Sequence, residues 1–599
     1  MSRRSVVAMM VGLFLVAFFL RAYRPISRPH QWLTRAEEFY EALDKQKWSS
    51  TYQMAHPGVT TMAISGLALR LYHASAGTPA EALFNWAIPP YATDYGRRMA
   101  VGVMGLSFVI SGLIVAITLA VRRLSNWTLA LLVAGLFVFD PFYLGQSRSL
   151  HVDALVGLLM LLSALLLLIS LQEGRRHYLL LSGLVGGFAL LTKTPSLFLI
   201  PYTALTLLAH FLTDLRAGWN LDRPEGRARW LAGEAGRGLL LPGVLWAVML
   251  VLPFALWPAM WVHPIRVLGN MFTKSNQYRL TPHQYRFFAG QFYIGQTPSL
   301  LYYPAVLAFD STFVTLIFGL MALGHYLLWP RRGRLPVKPL LFWLLVAFPF
   351  FFTLQMGISA KQSGRYVTPT QVGLSVIAAV GLNGFVNLLQ EAFADGKTRL
   401  AKSLPAVVAG LVIALHALVA LIHMPDYGAH HNYLLGGNRV ATRVIDAGGQ
   451  NEGFMPVAAF LNRQADPESL SVGVIRPVNR TTAQYFTGEV TIGMKAANDY
   501  HLFNIGSMQR HISPNKWEAA LRAYGDGPAQ VVVTYDGVPY MRLYATRPDE
   551  SFRQIVVRRG GTGFVWMARA CTAALLGALL WSLARTARGR SLLSASSGS

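Results

Sequence analysis

The densest chemistry in the sequence lies in Gly145-Gln146-Ser147-Arg148-Ser149-Leu150-His151-Val152-Asp153-Ala154-Leu155, where a guanidinium, an imidazole and a carboxylate crowd the start of a very apolar run. Ionisable groups beside or within such runs are costly in lipid, so each invites a functional reading. Asp153 is an N-terminal cap favoured by the backbone dipole, a carboxylate held by Arg148 and His151, or a group that shares an anionic ligand with them. Three further cations adjoin apolar runs: Lys193, just before Thr194-Pro195, and Lys361 and Arg365 in Ala360-Lys361-Gln362-Ser363-Gly364-Arg365-Tyr366. Together they suit a phosphate carried on a lipid, because charge-assisted contacts to phosphate are strong and Arg can make them in pairs. Ordinary headgroup contacts are the competing reading.

A different kind of segment comes earlier. Trp32-Leu33-Thr34-Arg35-Ala36-Glu37-Glu38-Phe39-Tyr40-Glu41-Ala42-Leu43 reads as an amphipathic helix lying at a membrane interface, with aromatic residues as its anchors. Its acids are either a solvated face or proton acceptors. His56-Pro57-Gly58 follows, either a structural turn or a turn that presents His56.

The elements that must position these groups follow from composition. The chain has 599 residues, 53% of them hydrophobic and 14% charged, with a net charge of +25. Such a composition excludes a disordered chain and points away from an ordinary soluble enzyme. The positives punctuate long apolar runs instead of gathering on one soluble face, which argues against nucleic acid as the partner. The single cysteine, Cys571, excludes a disulfide framework.

Runs of about 18 apolar residues can span the roughly 30 Å hydrocarbon layer as helices. About twelve candidates are present: 6–20, 99–121, 127–144, 154–171, 178–192, 195–213, 238–258, 303–328, 338–355, 369–389, 403–423 and 563–584. The first is followed by Arg21, Tyr23, Arg24 and Pro25, not by a small-residue cleavage site, and is expected to be retained. Threading the chain puts a basic cluster in every second loop: Arg3-Arg4, Arg122-Arg123, Arg175-Arg176, Arg216 to Arg229, Arg331 to Arg334, Lys397 to Lys402, and Arg585 to Arg590. By the positive-inside rule those segments and both termini are cytoplasmic. Asp153, Lys193, Lys361, Arg365, His56 and the acids of 32–43 then share the outer face.

The expected fold class is mainly α: a polytopic bundle over 1–423 with an outer loop at 21–98, a small α/β domain at 424–562, and a final helix with its tail at 563–599. Candidate strands near 471–475 and 529–534 alternate with helical stretches near 454–464 and 517–524. The triplets Asn126-Trp127-Thr128 and Asn479-Arg480-Thr481 match a glycosylation pattern too common to weigh.

In this order and on this face the motifs resemble a family, the polytopic GT-C glycosyltransferases, in particular the branch of protein O-mannosyltransferases and the lipid A aminoarabinose transferase. The resemblance rests on His56-Pro57-Gly58, Ser147 to Asp153, Leu191-Thr192-Lys193-Thr194-Pro195, Tyr302-Tyr303-Pro304, Lys361 to Tyr366, and Tyr433-Leu434-Leu435-Gly436-Gly437 through Gly448-Gly449-Gln450-Asn451-Glu452-Gly453. It implies a bacterial cytoplasmic membrane, a polyprenyl-phosphate sugar as donor, and a lipid, glycan or protein acceptor. It also implies an inverting displacement in which a carboxylate takes the acceptor proton and cations stabilise the leaving phosphate. Glu37, Glu38 and Asp153 are the implied catalytic carboxylates; His56, Arg148, His151, Lys193, Tyr303, Lys361, Arg365 and Tyr366 the implied substrate contacts. No metal or other cofactor is required; a divalent metal is compatible but not indicated, since no His/Asp cluster is dedicated to one.

One departure stands out. The family usually carries Asp early in the first outer loop, whereas no acid here precedes Glu37. A catalytically inactive relative that binds polyprenyl-linked sugars is therefore one alternative. A transporter or flippase is the other, although the charges gather at one face and no halves repeat.

Overall fold

A computed structural model describes residues 2–25, 31–218, 242–282, 285–328, 336–393, 399–476, 478–525, 527–547 and 553–596. The chain is an integral membrane protein, and each of the twelve apolar runs is helical over most of its described residues. In chain order the helices that matter here are α1 (Arg3–Ala22), α2 (Trp32–Asp44), α3 (Val59–Ser75), α4 (Asp94–Leu124), α5 (Trp127–Val138), α6 (Pro141–Ser147), α7 (Asp153–Glu173), α8 (Arg176–Thr192) and α9 (Leu199–Gly218). They continue with α10 (Pro242–Leu256), α11 (Pro264–Leu280), α12 (Tyr302–Asp310), α13 (Phe313–Leu328), α14 (Pro339–Gly357), α15 (Thr368–Ala392) and α16 (Arg399–Leu421), then α17 (Phe454–Leu461), α18 (Val478–Tyr485) and α19 (Thr562–Ser596).

The expected count of about twelve spans is not confirmed among the described residues. Among the described residues eight helices are long and apolar enough to cross a membrane, or ten if each of two bent pairs counts as one. The run 127–144 breaks into α5 and α6 at 61°, and 303–328 into α12 and α13 at 115°. Each break has a local cause. Pro141 has no amide to continue the α5 ladder, and the Asp140 carboxylate instead accepts the Tyr143 amide at 2.7 Å, starting a new helix. At the second break Ser311 is extended, and Thr312 Oγ1 accepts the Thr315 amide at 3.2 Å. Helices α8 and α10 fall short of full span length. Arg223, Arg227, Arg229, Arg331, Arg332, Arg334 and Lys397 lie outside the described residues.

Two helices form the centre. The span of α7 is 89% buried and that of α15 is 83%, whereas that of α19 is 6%. A helix apolar all round belongs inside such a bundle. Where helices approach closely, small residues allow it: Ser163 of α7 and Ser182 of α8 exchange hydrogen bonds with each other's carbonyls at 2.8 and 2.9 Å. The N-terminal ends of α7 and α15 reach the same end of the bundle, where the α/β unit also sits.

That unit carries β3 (Ser471–Val474), β4 (Glu489–Ile492), β5 (Tyr500–Asn504), β6 (Val531–Tyr535), β7 (Val538–Ala545) and β8 (Ile555–Arg559), after a small hairpin of β1 (Tyr285–Phe288) and β2 (Gln291–Ile294) in the chain. Its sheet order is β4-β3-β5-β7-β6-β8, mixed parallel and antiparallel. Val472, Val474, Leu502, Val531, Val533 and Leu543 build its core with Phe454, Val457 and Leu461 of α17.

Helix α2 corrects another expectation. Its apolar face does form, but Trp32 and Phe39 are buried against α3 and the neighbouring loops instead of anchoring in lipid. Tyr40 donates to the Ala63 carbonyl at 2.9 Å. Gly58 makes this seat possible: its φ is +61°, and a Cβ there would lie 2.0 Å from the Trp32 ring. The His56-Pro57-Gly58 turn is thus structural at Gly58 and leaves His56 free to line a cavity.

Candidate active site

Asp153 is the first residue of α7 and Lys193 the C-cap just after α8, so the antiparallel α7–α8 pair brings them together. They form a buried ion pair. Asp153 Oδ2 also stands 2.9 Å from His151 Nδ1 and 3.4 Å from Arg365 Nε. The carboxylate is therefore the hub of a cationic cluster. Lys193 Nζ lies 4.4 Å over the Tyr366 ring, and Lys361 Nζ 3.8 Å over the Tyr278 ring.

Above the cluster a cavity of about 430 Å³ is lined by His56, His151, Lys193, Lys361, Arg365 and Tyr366, all named from the sequence. Arg35, Tyr278, Arg476, Asn479 and Arg480 complete much of its wall. Among the described residues no carboxylate lines it. Lys361, Arg365 and Tyr366 also line a second cavity of about 310 Å³, which reaches Arg286, Asp310, His430, His431, Asp446, Glu452 and Arg510. A third, of about 630 Å³, shares Gln31, Arg35, Asn479 and Arg480 with the first and is bordered by Glu38 and Tyr95.

The remaining residues expected at the site have other places. Arg148 is buried and donates to the Leu20 carbonyl at 2.6 Å and the Arg24 carbonyl at 3.0 Å, tying α1 to the loop before α7. Tyr303 is buried beneath the Lys361 loop, its hydroxyl accepting the Ser363 amide at 3.2 Å. Glu37 pairs with Arg98 at 2.6 Å, and of these three cavities Glu38 borders the third. Neither joins the Asp153 cluster. Among the described residues no group of three or more His, Cys, Asp or Glu converges as a metal-holding set.

Several lining residues escaped the sequence reading. Arg476 lies between β3 and α18, Asn479 and Arg480 in the first turn of α18, and only the fold carries them to the helical bundle. Asn479-Arg480 lay inside a triplet set aside as too common. Apart from Asp310, the acids and histidines of the second cavity lie at 430–452, where their density was a usable signal.

His56 is held neutral. Burial first, then Lys193 and Lys361, lowers its pKa to about 3, and burial lowers His151 to about 4. A histidine whose folded pKa lies below its unfolded value takes up a proton on unfolding, so its contribution to stability is present above about 6.5 and is lost as pH falls toward the folded value. Thermal melts without ligand should therefore show the midpoint falling from pH 6.5 toward pH 4. His56→Gln should flatten that slope, and an unchanged slope would contradict the burial of a neutral imidazole.

Residues 95–217 match the family described as dolichyl-phosphate-mannose-protein mannosyltransferase. That stretch contains Arg148, His151, Asp153 and Lys193, and the match bears out the resemblance read from the motifs. No curated protein matches the chain. Among solved structures, ArnT from Cupriavidus metallidurans bound to undecaprenyl phosphate is similar at 14% identity and a TM-score of 0.44, over 88% of this chain and 92% of that one. The archaeal oligosaccharyltransferase AglB from Archaeoglobus fulgidus, in complex with an inhibitory peptide and a dolichol-phosphate, is similar at 13% identity and a TM-score of 0.45, over 84% and 70%. The mycobacterial arabinofuranosyltransferase AftD follows at 12% identity and 0.37, over 92% and 40%.

Proposed function

We propose that the protein is a membrane glycosyltransferase that moves a hexose or pentose from a polyprenyl-phosphate donor to an acceptor hydroxyl on the extracytoplasmic face of a bacterial cytoplasmic membrane. The acceptor is a lipid, glycan or protein. The observation that carries the reading is the first cavity, where Lys193, Lys361 and Arg365 converge with no carboxylate among the described lining residues. A site so rich in cations favours an anion, and its place at the end of two membrane-buried helices favours one tethered to lipid. The family match over 95–217 supports the sugar-transfer chemistry.

In an inverting displacement the acceptor oxygen bonds to the anomeric carbon as the phosphate leaves with its bonding electrons. The leaving phosphate is already ionised and needs no proton. Lys193, Lys361 and Arg365 stabilise its developing charge as fixed donors that act with little reorganisation.

The test uses purified full-length protein in nanodiscs with labelled polyprenyl-phosphate sugars and extracted envelope acceptors. Transfer of label is expected, together with saturable binding of bare polyprenyl phosphate. Binding without any transfer would favour the inactive lipid-binding relative. Absence of both, with solute uptake into vesicles, would overturn the reading in favour of transport.

A further inference from the structure

We propose that Glu452 is the proton acceptor of the transfer, acting from the second cavity on the acceptor hydroxyl. The inference rests on the glycosyl-transfer reading above and assigns a group to a role that Glu37, Glu38 and Asp153 fill poorly. Asp153 is clamped among Lys193, His151 and Arg365, and a carboxylate so stabilised is a weak base.

The second cavity offers three carboxylates, two of them held by basic side chains. Asp446 faces Arg286 at 3.5 Å and Arg510 at 3.9 Å and accepts the Tyr302 hydroxyl at 3.1 Å. Asp310 faces His431 at 3.0 Å. Glu452 is buried and among the described residues has no ion pair; its oxygens accept the Gln450 amide at 3.1 and 3.2 Å. Burial pushes its pKa up to about 7, the range in which a general base is most effective. The charged and titratable groups that face it are Asp426, His431, Arg510, Tyr535 and Tyr540.

Its position is built. A Cβ on Gly428 would lie 2.2 Å from Glu452 Oε1, so that glycine leaves room for the carboxylate. The neighbouring Gln450 side chain reaches Gln146 at 3.4 Å and Ser149 at 3.5 Å, fastening the Gly448–Gly453 loop to the segment that leads into Asp153. The two cavities meet at Lys361, Arg365 and Tyr366. With the leaving phosphate on the cations of the first and the anomeric carbon at this common wall, the acceptor hydroxyl approaches in line from the second. Its oxygen bonds to carbon, the carbon–phosphate oxygen bond breaks toward phosphate, and the proton passes to Glu452.

The experiment compares Glu452→Gln with wild type in the nanodisc assay across pH 5 to 9. Transfer by Glu452→Gln should fall by at least ~10²-fold, the usual worth of a positioned base. The acid limb of the wild-type rate profile should vanish, while affinity for bare polyprenyl phosphate stays within about twofold, as expected when a group acts on the acceptor and not the phosphate. A Glu452→Gln protein that keeps both rate and limb overturns the proposal, as does loss of the limb in Glu38→Gln instead. If Glu452→Gln does not fold, Glu452→Asp is read: slowed transfer with the limb retained supports the assignment, and wild-type rate overturns it. A wild-type protein that transfers nothing refutes the function, a result separate from either.

Discussion

Asp153→Asn protein is expected to melt well below wild type, with a loss of about 3–5 kcal/mol, the usual consequence of leaving a buried cation without its partner. Lys193 and Asp153 are both buried, and Arg365 and His151 lean on the same carboxylate. Neutralising it leaves two cations facing each other across a site with little water to screen them. The matched variant Asp153→Asn/Lys193→Met should recover much of the stability, because it removes the stranded charge as well, yet it should transfer poorly for want of a phosphate contact. Melting curves with and without polyprenyl phosphate decide the point. An anionic lipid should raise the midpoint of Asp153→Asn more than that of wild type, by supplying the missing negative charge. Equal midpoints for the single variant and wild type would show that the carboxylate holds nothing.

Arg365→Ala is expected to lower transfer by ~10²- to 10³-fold, as removal of one fixed transition-state donor does elsewhere. The residue lies at the wall common to two cavities, 5.5 Å over the Tyr366 ring and 3.4 Å from Asp153, so its guanidinium is oriented before any ligand arrives. Arg365→Lys should recover little. An ammonium has neither the flat face that stacks on Tyr366 nor the fork that grips two phosphate oxygens. Single-turnover rates and lipid affinity measured separately will show whether the loss falls on the chemical step; a loss confined to lipid affinity would make Arg365 a binding residue alone.

The charge pattern made much of this legible in advance. Lys193, Lys361 and Arg365 were visible less as single cations beside apolar runs, which headgroup contacts also explain, than because the alternation of basic loops put all three on one face. The cavity does gather them, with His56, His151 and Tyr366. Arg148 was misplaced for a physical reason: sequence shows that a buried guanidinium needs acceptors, but not that two backbone carbonyls near the end of α1 supply them. The broken spans carried a readable mark in Asp140-Pro141, overlooked because hydropathy alone ran through it. The Arg476 to Arg480 wall was out of reach, since it depends on how β3 hands the chain to α18 and how that helix meets the bundle. Glu452 was hidden in a glycine-rich motif whose spacing says turn, while its chemistry depends on burial that only folding creates.

The bent pairs α5–α6 and α12–α13 have a consequence for traffic. The second halves of one and the first half of the other supply Phe142, Gln146, Tyr302, Val306 and Asp310 to the second cavity. Irregular backbone at membrane depth is tolerated where it is buried in protein or borders a watered space. Two bent helix pairs thus border a recess, the place where, under the proposed function, a lipid-borne phosphate would be met by the acceptor.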